Sequence, residues 1–206
     1  MNGVVRRDAE WRVDLQRDRI EVDGQPVHAQ SKVYLMLNKP RGLVTTASDE
    51  QGRPTVFACL EGKGLPLVMP VGRLDKASEG LLLFTNDTGW AARITDPASR
   101  IEKTYHVQVD CVADESLARL IEAGAICQGE RLGARSAKVL RQGAKNSWLE
   151  IVLDEGKNRH IRRLLAAFRI EALRLVRVAI GTLVLGDLGK GQTRMLEQEE
   201  TRAVWK

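Results

Sequence analysis

Cysteine is scarce and poorly placed for cross-linking: Cys59, Cys111 and Cys127 are odd in number and far apart. That excludes a disulfide framework or a metal knuckle and reads as buried, reduced thiols. His28, His106 and His160 are equally scattered, and no H-x-x-x-H or Cys/His cluster offers a closed zinc site. No metal is expected. Long apolar runs are missing as well. The first thirty residues carry Arg6, Arg7, Asp8, Glu10, Arg12 and Asp14 with no apolar stretch. Neither a signal peptide nor a membrane span is therefore expected, and a cytoplasmic location is. Without a secretory signal, the sequon Asn86-Asp87-Thr88 carries no meaning.

What is present fits one compact unit with a short appendage: 206 residues, 43% apolar and 29% charged. The net charge of +5 is unevenly spread. Between Glu155 and Arg177 stand Lys157, Arg159, Arg162, Arg163, Arg169, Arg174 and Arg177 against only two acids, Glu155 and Glu171. That stretch equals the excess of the whole chain. A concentrated positive field suits a polyphosphate partner, since neutralising phosphates releases their counterions; a solvated helix face is the alternative.

Residues 1–31 are polar, and Val13, Leu15, Ile20 and Val22 predict two short strands around Arg17-Asp18. From Lys32 the texture changes, placing a boundary near Ser31. Val33-Tyr34-Leu35-Met36-Leu37 is an apolar run ended by Asn38-Lys39-Pro40-Arg41-Gly42, as for a buried strand entering a turn. Further strands are predicted at Gly80–Thr85, Lys103–Val109 and Trp148–Leu153. One helix should be capped by Asp114, bury Leu117, Leu120 and Ile121 and end at Gly124; another should follow Gly156-Lys157-Asn158 and bury Ile161, Leu164, Leu165 and Phe168. Strands outnumber helices without regular alternation, which predicts an α+β fold around a largely antiparallel sheet.

The most unusual segment is Gly72-Arg73-Leu74-Asp75-Lys76-Ala77-Ser78-Glu79-Gly80, a polar cluster between two apolar runs. The core on both sides would hold it rigid, as a catalytic carboxylate requires. Taken alone, it also fits an ordinary strand connection in which Asp75 caps the turn and Arg73 pairs with it.

Gly72-Arg73-Leu74-Asp75-x-x-Ser78-Glu79-Gly80-Leu81-Leu82 resembles the signature of bacterial ribosomal RNA pseudouridine synthases of the RsuA, RluB, RluE and RluF group. Leu37-Asn38-Lys39-Pro40, Lys103-Thr104-Tyr105 and the stretch from Leu153 to Arg163 resemble further motifs of that family, in order. Leu173-Arg174-Leu175 and Leu185-Gly186-Asp187-Leu188 fit its closing segment. The resemblance implies the pseudouridine synthase fold and the isomerisation of uridine in ribosomal RNA, with large-subunit RNA favoured. The N1–C1′ bond breaks, the base turns, and C5 joins C1′. No atoms are gained or lost, and no cofactor is needed.

By resemblance, Asp75 is the catalytic carboxylate. Whether it adds to the base, attacks C1′ or helps remove a sugar proton stays open. Arg162 is its cationic partner, opposing the protonation that an enclosed carboxylate would otherwise undergo. Helical phase alone puts Arg162 at one margin of the buried face, leaves His160 at the other as a rival, and turns Arg159 and Arg163 away. Tyr105 would stack beside the base and exchange the C5 proton. Arg73 would hold the RNA after the nucleotide is flipped out. Ile161 would pack under the base, and Lys39, Lys103, Lys157, Arg159 and Arg163 complete the expected RNA contacts. Many relatives begin with a small RNA-binding module. Residues 14–27 resemble only its last strands, so target delivery would fall to the catalytic domain's own surface, in a protein expected to act as a monomer. A non-catalytic RNA-binding or ribosome assembly factor is the competing class. A glycosidase would need a second carboxylate across the sugar bond, for which Glu79 is a poor candidate.

Overall fold

A computed structural model describes residues 1–8, 10–14, 17–27 and 31–205. The chain forms two compact units, Met1–Lys32 and Val33–Lys206. In the first, β1 (Glu21–Val22) pairs antiparallel with β2 (Gln25–Pro26). The turn between them is Asp23-Gly24, both with positive φ, the geometry that makes Asp-Gly a strong hairpin signal. The hairpin expected around Arg17-Asp18 is thus displaced to Asp23-Gly24, while the N–H groups of Arg17 and Asp18 donate to the Asp14 carbonyl. Leu15 lies outside the described residues.

The second unit is built on a nine-stranded sheet. Its strands are β3 (Tyr34–Lys39), β4 (Met69–Val71), β5 (Glu79–Thr85), β6 (Lys103–Val109), β9 (Ser136–Gln142), β10 (Ser147–Leu153), β11 (Ala172–Ile180), β12 (Leu183–Val184) and β13 (Thr193–Met195). A separate hairpin joins β7 (Ala125–Cys127) to β8 (Glu130–Leu132). The main order is β13-β3-β5-β11-β6-β10-β9, with β4 beside β5 and β12 beside β11. All of its strand pairings are antiparallel except β5–β11. The fold is therefore α+β, as expected.

Among the described residues, four α-helices accompany this sheet: α1 (Thr88–Thr95), α2 (Glu115–Ala123), α3 (His160–Ala167) and α4 (Gln198–Ala203). The Asp114 carboxylate accepts the Leu117 N–H at 3.0 Å to open α2, and Gly124 ends it. Leu120 is exposed, however, because Ala118 and Ile121 make the buried stripe. The sequence reading missed α1, although Asp87 caps it by accepting the Trp90 N–H.

Every residue of β5 is buried. Leu81 and Leu83 enter one apolar cluster with Trp90 and Ile94, while Leu82 and Phe84 enter another with Leu37 and Val56. A strand covered on both faces needs an unbroken apolar run, which is what β5 has. A third cluster joins Ile161, Leu164 and Leu165 of α3 to Val107 and Ile151.

Gly80 makes the central pairing possible. It has φ +101°, and a Cβ there would stand 2.2 Å from the Arg177 carbonyl oxygen. Gly80→Ala combines backbone strain with overpacking, together about 3 kcal/mol. The expected result is a melting temperature lower by roughly 6–12 °C, read by calorimetry.

Candidate active site

Asp75 lies in the loop between β4 and β5. Leu74, beside it, is buried in the cluster with Leu82 and Phe84 and pins the loop from below. Thr45 Oγ1 donates to the Leu74 carbonyl at 2.8 Å and accepts the Leu74 N–H at 3.3 Å. The Gly42 N–H reaches the Lys76 carbonyl at 2.8 Å, and the Ser78 N–H reaches that of Asp75 at 3.0 Å. The loop backbone is therefore fixed without using the Asp75 carboxylate, which remains about one-third exposed.

Lys39 supplies the strongest tether. Its side chain is fully buried, and Nζ donates to the carbonyls of Ser78 (2.8 Å), Pro40 (3.1 Å) and Asp75 (3.2 Å). Burial pulls its pKa down to about 8, against the opposing pull of the Glu79 and Asp75 charges. The expected RNA contact at Lys39 is thus corrected: its ammonium faces inward and is committed to the loop.

A cleft of about 990 Å³ opens beside this loop, lined also by β6, β11, the loop 44–53 and the start of α3. Asp75, Tyr105 and Arg162 all line it. Arg162 donates through Nη1 to the Ala172 carbonyl at 2.9 Å and through Nη2 to that of Ala77 at 3.4 Å. It thereby ties α3 to both β11 and the Asp75 loop. Burial lowers its pKa, the Arg159 charge adds to this, and the Asp75 charge opposes it; a guanidinium stays cationic regardless.

Arg159 departs from the helical-phase expectation. It precedes the helix in the left-handed region, φ 49°, so helical phase does not govern it, and its Nη1 stands 3.8 Å from Asp75 Oδ2. Arg159 therefore stands beside the carboxylate, and the charge of Arg162 also acts on it. His160 is buried, and its Nε2 lies 3.0 Å from the Gly133 carbonyl oxygen. Burial lowers its pKa, which keeps the ring neutral at pH 7.

Tyr105 sits half-buried where two apolar clusters meet. Ile161 is buried and contributes an apolar surface to the cleft, Lys103 lines its wall, and the exposed Arg73 stands at its edge. Lys157 also lines the cleft, but its ammonium is held by Glu155 at 2.9 Å. Arg163 does not line it: α3 turns this side chain toward the β7–β8 hairpin, where Nη1 pairs with Glu130 at 2.9 Å and Nη2 donates to the Cys127 carbonyl. Its expected role as an RNA contact gives way to that of a strut.

The basic stretch is accordingly not one face. Arg174 pairs with the buried Glu79, which Lys190 also holds at 2.6 Å, so Glu79 serves neither as a second acid nor as a cleft residue. Arg177 is only 5% exposed yet lines the cleft. The sequence reading counted Arg177 as surface charge; the strand alternation Leu175-x-Arg177 was the available signal that it shares a face with apolar neighbours.

The model of the RNA pseudouridylate synthase family matches residues 33–167. An RNA pseudouridine synthase of Aquifex aeolicus is 36% identical over 208 residues, covering all of this chain and 83% of the relative. Ribosomal large subunit pseudouridine synthase B of Bacillus subtilis is 35% identical over 188 residues, covering 90% of this chain and 76% of the relative. A crystal structure of a pseudouridylate synthase superposes with a TM-score of 0.75 at 28% identity, over 98% of this chain and 86% of that one. With the match spanning the Asp75 loop, Tyr105 and the start of α3, the chain belongs to the RNA pseudouridylate synthase family, enzymes that isomerise uridine within RNA.

Proposed function

We propose that this enzyme acts on ribosomal RNA, with large-subunit RNA as its substrate, and that Asp75 is its catalytic carboxylate. The observation that carries the reading is the Asp75 carboxylate itself: partly exposed in the cleft, on a loop pinned through backbone atoms, with Arg159 at 3.8 Å. Similarity to the Bacillus subtilis large-subunit enzyme supports the choice of RNA. The extruded base lies between Tyr105 and Ile161, with Arg73 holding the strand at the edge of the cleft. Lys39 acts on the loop and Arg163 on the hairpin. Residues 1–31 are read as resembling strands of a small RNA-binding module.

The two arginines divide the work. Arg162 stabilises the ionised carboxylate from a partly enclosed position, while the more exposed Arg159 meets RNA phosphate. Losing the Arg162 charge that acts on Asp75 in this partly screened site should cost about 2 kcal/mol, so Arg162→Ala should slow single-turnover conversion about 30-fold. Arg159→Ala should mainly weaken RNA binding. Single-turnover rates and filter binding separate these effects, and the reverse pattern would exchange the roles. The target is identified by mapping pseudouridines across ribosomal RNA from a deletion strain. One missing site in large-subunit RNA is the expected result, and an unchanged map overturns the choice of RNA.

A further inference from the structure

Unpaired polar atoms are costly in a folded interior, so the place where they collect is informative. Among the described residues, the buried side-chain atoms without a hydrogen-bond partner belong to Ser78, His160, Arg162, Arg163 and Arg177. All but Arg163 line the cleft. Arg177 is the most telling. Its Nε donates to the Leu81 carbonyl at 2.8 Å, but Nη2 has no partner. Lys103, half-buried on the same wall, has its proton affinity lowered by burial and then by the charge of Arg177, with Asp154 pulling the other way. Two cations thus stand close together in a partly dry site.

Their placement follows from the sheet. Tyr105 on β6 lies opposite Arg177 on β11, and residues opposite one another in an antiparallel pair share a face. Lys103, two residues from Tyr105, shares that face too. Arg177 and Lys103 therefore flank the tyrosine beside which the base is proposed to lie. A backbone phosphate, bulky and strongly hydrated, is better met by exposed cations such as Arg73 and Arg159. A guanidinium that is 5% exposed suits a flat group inserted edge-on. An extruded uracil presents such an edge, with carbonyl oxygens O2 and O4.

We propose that Arg177 and Lys103 form the subsite for the departing base, holding its carbonyl oxygens and stabilising the negative charge it gains as the N1–C1′ bond breaks. This rests on uridine isomerisation in this cleft with the base beside Tyr105. The bond pair leaves C1′ with N1, and its charge spreads over N1, O2 and O4. C1′, left electron-poor, faces the Asp75 carboxylate. C5 then supplies an electron pair to C1′ and releases its proton, while N1 takes one up, so no atom or electron is gained or lost. Between these steps the base has no covalent bond to the RNA, and the two cations keep it in the cleft while it turns. Donors fixed in advance in a low-dielectric site suit this task, because they need no reorganisation as charge develops.

The test is single-turnover reaction of the full chain with ribosomal RNA transcripts containing either uridine or 5-fluorouridine. Consumption of the N-linked nucleoside is followed by chromatography after digestion. Fluorine stabilises the uracil anion, so a base that leaves more readily needs less help. With uridine, Arg177→Met should react about 100-fold more slowly, the usual effect of removing one such donor. With 5-fluorouridine the loss should shrink to less than about tenfold, and RNA affinity should stay within about twofold in both cases. Lys103→Met should show the same dependence on the base with a smaller loss. Should Arg177→Met not fold, Lys103→Met decides alone. Equal losses on both RNAs would overturn the proposal in favour of a positioning role, and weakened affinity at an unchanged rate would overturn it in favour of a phosphate site. If the unaltered enzyme consumed neither RNA, the choice of ribosomal RNA would fail, and this inference with it.

Discussion

Asp75→Asn is expected to lower pseudouridine formation by about 10⁴-fold or more, the scale seen when a catalytic group is removed, while leaving the fold and RNA affinity nearly intact. The exchange keeps the shape of the side chain and removes its charge. The loop does not depend on that charge: Leu74 is packed below it, and Lys39, Thr45 and Gly42 hold backbone atoms of residues 74, 75, 76 and 78. What is lost is the anion facing C1′ or the base, for which an amide is no substitute. Tritium release from RNA labelled at uridine C5, beside a melting curve and a binding isotherm, separates these quantities. Normal product from the variant would sink the assignment of Asp75.

The second large effect is expected at Lys39. Replacing it with methionine deprives three carbonyls of a donor, each loss costing about 1–3 kcal/mol, with partial relief from no longer burying an ammonium. The fold should survive with a melting temperature several degrees lower. Activity should fall about 100-fold, since a shift of about 1 Å in a catalytic group has consequences of that size. The wild-type pH dependence provides a second readout. The folded-state pKa is about 8 against the ordinary lysine value of 10.5, so between these values the unfolded chain binds the extra proton. By linkage, this group makes the fold more stable as pH rises through that window. The loop meanwhile exchanges a three-donor ammonium for a two-donor amine. Activity should therefore decline as pH rises through about 8 while this contribution to stability grows, and Lys39→Met should lack both trends. Parallel decline of activity and stability would show that Lys39 does not act through its proton.

Much of this was legible before any coordinates, and the exceptions share a cause. The Asp75 turn could be found because apolar runs on both sides announce themselves locally, as do the Asp114 cap and the buried stripe of α3. Arg159 could not be placed, because helical phase says nothing of a residue that stands before the helix in a left-handed conformation. Lys39 is an RNA contact only by resemblance, and lysines are seldom fully buried; the carbonyls of the distant Ser78 and Asp75 explain its position. Arg177 was masked by its neighbours in the basic stretch, since its burial depends on β11 meeting β5, strands nearly a hundred residues apart.

That meeting also has a consequence in time. The family match ends at residue 167, yet β11 begins at Ala172 and occupies the centre of the sheet. During synthesis, a chain already carrying Asp75 and its lysine tether still lacks the strand that fills the gap between β5 and β6. Contacts between distant segments form slowly because a long loop must close first. The Asp75 carboxylate is thus made early and joins a complete cleft late, after β11 has left the ribosome and inserted against Gly80.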